Sequence, residues 1–135
     1  MDLEKTMITS ASGMRSQSAR MRIIAENIAN AHSTSMSPGA DPYRRKIMTF
    51  QQTMHEASGA PTVSIDKISV DQKPFEKRYD PGNPGADGGG YVKMPNVNPL
   101  IEMVDMKEAQ RSYEANVTVI ENAKAMMSRT VDLLR

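Results

Sequence analysis

From Asn98 to Arg135 the sequence contains no Gly and, after Pro99, no Pro. A stretch this long without a backbone breaker constrains the fold more than any other feature: it reads as one helix, and the rest of the chain must serve it. Met106, Tyr113, Ile120, Met127 and Leu134 recur at every seventh position, with Ala109, Asn116, Ala123 and Thr130 three residues behind them. Large and small rows alternating at that spacing form a narrow coiled-coil seam. Asn98 can cap the first free N–H groups, Pro99 suits the first helical position, and Glu102, Asp105 and Arg135 are placed to complement the helix dipole.

Residues 3–31 carry the pattern again. Met7, Met14, Met21 and Ile28 form the large row, and Ala11, Ser18 and Ala25 the small one. Gly13 lowers local helix stability by roughly 1 kcal/mol relative to Ala, so propensity alone would not hold this helix. Its end is expected between Asn30 and Ser33, where Asn can adopt a left-handed cap. The fold class that follows is mainly α with a small β element, the two terminal helices pairing as an antiparallel coiled coil. The division expected is an N-terminal helix over 1–31, an extended and partly β middle segment over 32–97, and a C-terminal helix over 98–135.

In that middle segment, residues 32–42 are rich in Ser, Thr, Pro, Gly and Asp, which predicts a loop or an ordered extended segment. Tyr43 to Phe50 reads as a strand continuing toward His55, and Gly59-Ala60-Pro61 breaks it. Apolar alternation at Val63 and Ile65 changes phase to Ile68 and Val70, which predicts a bulge near Asp66-Lys67. Two or three short strands are expected here. The Gly- and Pro-dense run from Asp80 to Pro95 is expected to exclude helix and strand alike.

Size decides whether such a chain can stand alone. At ~1.5 Å per residue the C-terminal helix would be about 55 Å long, against a diameter of roughly 35–40 Å for a compact globule of this length. Aromatic residues are 4% of the 135, none is Trp, and Met supplies 12 of the side chains, so little bulky material fills a core. One partner helix covers one side only. The chain reads as a subunit whose burial is completed by other copies or other proteins.

Little in the sequence points to chemistry. With no Cys there is no thiolate nucleophile, disulfide scaffold or Cys-based metal site. His32 and His55 sit in separate loop-like contexts and read as ordinary polar positions. The Asp80–Gly90 run has Tyr91 where a calcium loop needs Glu, and it lacks the Gly-Lys-Ser/Thr ending of a phosphate loop. No catalytic, cofactor or metal site is expected. Seventeen basic residues face 16 acidic ones, for a net charge of +1. Arg44-Arg45-Lys46, with Arg15, Arg20 and Arg22, is therefore a weak basis for nucleic-acid binding. No apolar run approaches membrane-spanning length, so no membrane insertion is expected. The N-terminus lacks the pattern of a cleavable signal peptide.

Ala25-Glu-Asn-Ile-Ala-Asn-Ala31 resembles the segment that closes the first helix of bacterial flagellar axial proteins. Tyr79-Asp-Pro-Gly-Asn-Pro-Gly-Ala-Asp87, Gly90-Tyr-Val-Lys-Met-Pro-Asn-Val-Asn98, Glu102-Met-Val-Asp-Met106 and Arg111-Ser-Tyr-Glu-Ala-Asn116 resemble successive motifs of the C-type proximal rod subunits within that family. The likeness covers the chain except mainly Thr49 to Lys73. In place of a Gly-Tyr-Arg turn this chain has a longer Ser/Pro segment leading to Pro42-Tyr43-Arg44.

The resemblance implies a structural subunit of the proximal rod, located in the basal body where it crosses the periplasm and required for motility. It implies helical assembly around the export channel, torque transmission, and type III export without a cleavable signal. The implied partners are further copies, other rod subunits, the membrane-ring/rod adaptor protein and the export apparatus. On the residues themselves, Met7, Met14, Met21, Ile28, Met106, Tyr113, Ile120, Met127 and Leu134 are expected at the helix seam and assembly interface, while Asn27, Asn30, Asn98 and Asn116 are expected to fix helix register or cap ends. Another rod or rod-hook junction subunit, or a helical nucleic-acid-binding protein, is the alternative.

Overall fold

The computed structural model describes residues 2–134, so the expected dipole contribution of Arg135 lies outside the described residues. Two long helices flank a small β region: α1 (Leu3–Ala29), β1 (Lys46–Met54), β2 (Pro61–Val70), β3 (Glu76–Tyr79), β4 (Tyr91–Met94) and α2 (Pro99–Leu133). The strands form two two-stranded sheets, β1 with β2 and β3 with β4.

Local chemistry sets the helix ends. The Asp2 carboxylate accepts the Lys5 N–H at 3.3 Å and its carbonyl accepts that of Thr6, capping α1. Asn98 Oδ1 accepts the Leu100 N–H at 3.1 Å, with Pro99 at the first helical position of α2. The end of α1 differs from expectation. No described non-Gly residue has a positive φ, so Asn30 is not a left-handed cap. Its Nδ2 instead donates to the Glu26 carbonyl at 2.9 Å, and the Ser33 hydroxyl donates to its Oδ1. The chain then leaves through the tight turns Ala31 N–H to Ile28 O and Ser33 N–H to Asn30 O.

The Asp80–Pro95 expectation also needs correction, because Tyr91–Met94 is a strand. It pairs antiparallel with β3 in the register Glu76 with Met94, Lys77 with Lys93, Arg78 with Val92 and Tyr79 with Tyr91. The Gly- and Pro-rich run is the turn of that hairpin. The Asp87 carboxylate ties down the N–H groups of Gly89 and Tyr91, at 2.9 and 3.0 Å, and Gly90 takes φ +80°. Gly and Pro density thus ended at a turn and left the following residues free to pair.

The phase change expected in β2 has a backbone counterpart. The Ala60 carbonyl faces the β1 side, accepting from His55, and so, farther along, does the Asp71 N–H, donating to Arg45. These positions have opposite parity, so the alternation shifts once between them.

The chain forms two compact units: Met1–Met21, Met48–Lys67 and Lys107–Arg135, and separately Arg22–Ile47 and Ile68–Met106. Among the described residues of the first, every fully buried side chain is small: Ser10, Ser12, Ser16, Ala60, Ala109 and Ala123. The second buries Ile23, Ile24, Ala31 and Val92 together with two polar side chains, Asn27 and Glu102.

Candidate assembly and register site

In the second unit Asn27 is 1% exposed, and its carboxamide spends its whole bonding capacity. Nδ2 donates to the Lys46 carbonyl at 2.9 Å and to Glu102 Oε2 at 3.2 Å. Oδ1 accepts the Lys46 N–H at 2.9 Å and the Tyr43 hydroxyl at 2.8 Å. One side chain therefore joins α1, the start of β1 and the first turns of α2.

Glu102, also 1% exposed, gives its other oxygen to Arg45 Nε. The Arg45 guanidinium further reaches Asp71 at 3.7 Å and Asp105 at 3.6 Å. Burial opposes the Arg45 charge, but the Glu102 hydrogen bond and the charges of Glu102, Asp71 and Asp105 together outweigh it and raise its pKa above the ordinary value. Asn96 completes the frame: its Oδ1 accepts the Arg45 N–H at 2.8 Å, and its Nδ2 donates to the Asp71 and Lys73 carbonyls. The Tyr43 phenol has its pKa raised by burial, then by the nearby charges of Glu26 and Glu102.

This cluster also accounts for the basic run. Arg45 is held by three carboxylates, Lys46 pairs with Glu26, and Arg44 reaches Asp41 at 3.6 Å and covers the Phe75 ring at 4.3 Å. These cations are engaged within their own unit rather than aligned as an open basic field.

In the first unit, α1 meets β2 through hydroxyls. Thr9 Oγ1 donates to the Pro61 carbonyl at 2.8 Å, Ser12 Oγ accepts the Val63 N–H at 3.1 Å, and Ser16 Oγ donates to the Val63 carbonyl at 3.1 Å. The spacing puts these hydroxyls on one helix face. That face is where β2 presents backbone groups not used by β1, so side chains stand in for a neighbouring strand. This explains part of a departure from the expected small row: Ser18 and Ala25 are exposed, and Ser12 and Ser16 are buried instead.

The two helices of the first unit meet at Gly13 with Asn116, and at Arg20 with Glu108 (3.7 Å), an antiparallel order. A Cβ on residue 13 would stand 2.9 Å from Asn116 Nδ2, which itself donates to the Ser112 carbonyl. On the same face of α2 as Asn116, seven residues to either side, Ala109 and Ala123 are buried. Met7, Met14, Met21, Tyr113 and Ile120 are half-buried, as are Ile28 and Met106 in the second unit. Met127 and Leu134 are exposed, Leu134 by 84%. Gly13 opposite Asn116 puts Leu3 opposite a position near 126, and from Lys124 to Leu134 every residue is exposed. The end of α2 outruns α1.

The first turns of α2 are inside-out. Glu102 is buried, while its neighbours Leu100, Ile101, Met103 and Val104 are exposed by 54–70%. The sequence reading placed Glu102 only as a dipole partner and missed Arg45, Tyr43, Thr9, Ser12 and Ser16. A carboxylate among four apolar neighbours was the available signal for Glu102; a surface Ser and a buried one look alike in sequence.

His32 is exposed, and among the described residues the His55 imidazole bonds only the nearby Ser58 hydroxyl, at 3.0 Å. Among the described residues no group of three His, Cys, Asp or Glu is disposed to hold a metal ion, and no helix is long and apolar enough to cross a membrane.

Comparison with known proteins gives this geometry a context. The family model described as the flagellar basal body rod FlgEFG protein C-terminal region matches residues 89–133, which include β4 and all of α2. The chain is 55% identical to the flagellar basal-body rod protein FlgC of Agrobacterium fabrum over 92% of its length and 89% of the relative's. It is 44% identical to the FlgC of Escherichia coli O6:H1, covering 90% of each, and 35% identical to that of Bacillus subtilis, covering 92% and 93%.

Proposed function

We propose, from the premise that this chain belongs to the FlgC family of flagellar basal-body rod proteins, that it is a structural subunit of the proximal rod whose work is mechanical. The observation that carries the mechanism is the inside-out start of α2. Leu100, Ile101, Met103 and Val104 face outward where burial would be worth ~1.5–3 kcal/mol for each large side chain. A monomer gains nothing from that arrangement; a subunit in a rod gains an interface. The exposed end of α2, with Met126, Met127, Val131, Leu133 and Leu134, offers a second such surface.

In this reading the two helices pair as a coiled coil, and the rows from Met7 to Ile28 and from Met106 to Leu134 serve both that pairing and contact with neighbours. Gly13–Asn116 and Asn27–Glu102 hold the register, Asn98 starts α2, and Asn30 fastens the end of α1. Contacts with further copies and other rod subunits propagate helically, since a heterologous contact that does not close generates a filament. Torque passes through those contacts, and the wall they build surrounds the export channel. The membrane-ring adaptor and the type III export apparatus are the remaining partners, the subunit reaching the periplasm through that apparatus. Catalysis has no part in this work.

The test is complementation of a strain lacking the gene. The Leu100→Glu/Val104→Glu variant should express, leave the monomer's thermal midpoint nearly unchanged, and restore neither swimming nor a rod in isolated basal bodies. Full swimming with both glutamates in place would refute the assembly role of this surface.

A further inference from the structure

The β3–β4 hairpin has one face turned to its own unit and one turned to water. Val92, 1% exposed, lies on the first with Met94 and Arg78. The register puts Lys77, Lys93, Tyr79 and Tyr91 together on the second. Here the lysines are directly opposite one another, an arrangement that is unfavourable between strands. Lys93 is partly relieved by Asp41 at 3.3 Å, which Arg44 also engages. Lys77 makes no ion pair among the described residues; the exposed Asp87 carboxylate, whose Oδ1 accepts the Gly89 and Tyr91 N–H groups, acts on it only at longer range.

Beside the lysines stands an ordered aromatic pair. Tyr79 and Tyr91 have ring centroids 5.4 Å apart in an edge-on arrangement. Tyr79 also lies over Gly90, where a Cβ would come within 2.9 Å of its ring and 3.3 Å of Pro81. Yet Tyr79 is 64% exposed and Tyr91 48%. A tyrosine held between Tyr91 and Gly90 and still open to water has met part of the ordering cost of binding in advance, and Tyr is among the residues that dominate interfaces.

We propose that this face docks an acidic segment of a neighbouring protein, its carboxylates reaching Lys77 and Lys93 and its apolar portions covering Tyr79 and Tyr91. The proposal rests on the rod-subunit reading, because only a subunit has obligatory neighbours. Protein is favoured over glycan: the rings meet at 66°, whereas a sugar chain lies best along flat, side-by-side ring faces.

The test titrates the full isotope-labelled chain with hexaglutamate, followed by amide chemical shifts. Shifts should concentrate at 77–79 and 91–93, fade as salt rises, disappear in K77Q/K93Q and weaken by about fivefold or more in Y79A. Shifts scattered over other lysines, or unaltered in K77Q/K93Q, would overturn the proposal. So would a response at this face to peptidoglycan fragments in place of hexaglutamate. Circular dichroism melts confirm that both variants are folded. If the hairpin ignores hexaglutamate while wild-type chain restores swimming and Leu100→Glu/Val104→Glu does not, the docking proposal falls and the rod reading stands.

Discussion

Gly13 on α1 lies directly against the Asn116 carboxamide on α2, with no room for a Cβ: one would stand 2.9 Å from Nδ2 and 3.2 Å from Cγ. A residue that weakens the helix locally is thus also one that lets the second helix approach. The Asn116 amide is anchored to the Ser112 carbonyl at 2.9 Å, so it yields only by giving up that bond.

Substitution at this contact should be strongly non-additive. Alone, Gly13→Ala sets a helix-propensity gain of up to ~1 kcal/mol against the clash, and should destabilise. In an Asn116→Ala background the clash is gone, and the same change should stabilise by about 0.5–1 kcal/mol. Urea unfolding of the four members of the cycle measures the coupling; additive effects would mean the helices do not meet here.

Asn27 is the most heavily committed side chain of the second unit. Asn27→Ala strips partners from the Lys46 backbone, Tyr43 and Glu102 at once, and should cost about 2–4 kcal/mol. Asn27→Asp puts a carboxylate beside Glu102 Oε2, now 3.2 Å from an amide donor. It should be severely destabilised at neutral pH and recover on mild acidification, when one of the pair takes a proton. Thermal melts between about pH 4 and 8 distinguish this from a simple loss of packing.

Tyr43 gives the native protein an alkaline sensitivity. Its pKa is raised in the folded state above the ordinary 10.0, so the unfolded chain releases the proton first. The contribution is whole below pH 10 and declines as pH rises through the folded value. Tyr43→Phe should remove that part of the decline while costing about 1–2 kcal/mol at neutral pH, because Asn27 Oδ1 loses a partner. An unchanged alkaline slope in Tyr43→Phe would assign the sensitivity elsewhere.

The hydroxyl contact between α1 and β2 has a residue-specific readout. Ser12→Ala removes the acceptor of the Val63 N–H, so amide exchange at Val63 should accelerate by about tenfold or more, with a global loss of only ~0.5–1.5 kcal/mol. Ser16→Ala, which frees a carbonyl rather than an N–H, should leave Val63 exchange closer to wild type.

Much of the helical framework was legible because its signals are local. Asn98-Pro99 announces the start of α2 in adjacent residues, and the unbroken run after Pro99, free of Gly and Pro, announces its length. The Ala25–Asn30 motif pointed to Asn27 without saying what it bonds. The rest depended on partners distant in sequence. Glu102 looked like an ordinary first-turn carboxylate until Arg45 and Asn27 surrounded it, and Arg45 looked like part of a solvated basic run. Tyr91–Met94 was obscured by the adjacent turn: composition shows where a chain reverses, not whether the flanks pair afterwards. Ser12 and Ser16 were invisible because burial of a hydroxyl follows from a strand edge arriving from another part of the chain.

The Ser and Ala interior of the first unit sets the thermal character of the free subunit. Unfolding raises heat capacity in proportion to the apolar surface that becomes hydrated. Here the fully buried side chains of that unit carry almost none, and many large apolar residues of α2 are hydrated from the outset. The increment should therefore fall well below the ~1.6–2.0 kcal/mol/K typical for 135 residues, leaving a shallow stability curve with little loss of stability in the cold. Incorporation into the rod would then transfer to the filament the larger heat-capacity signature that a globular protein of this size carries by itself.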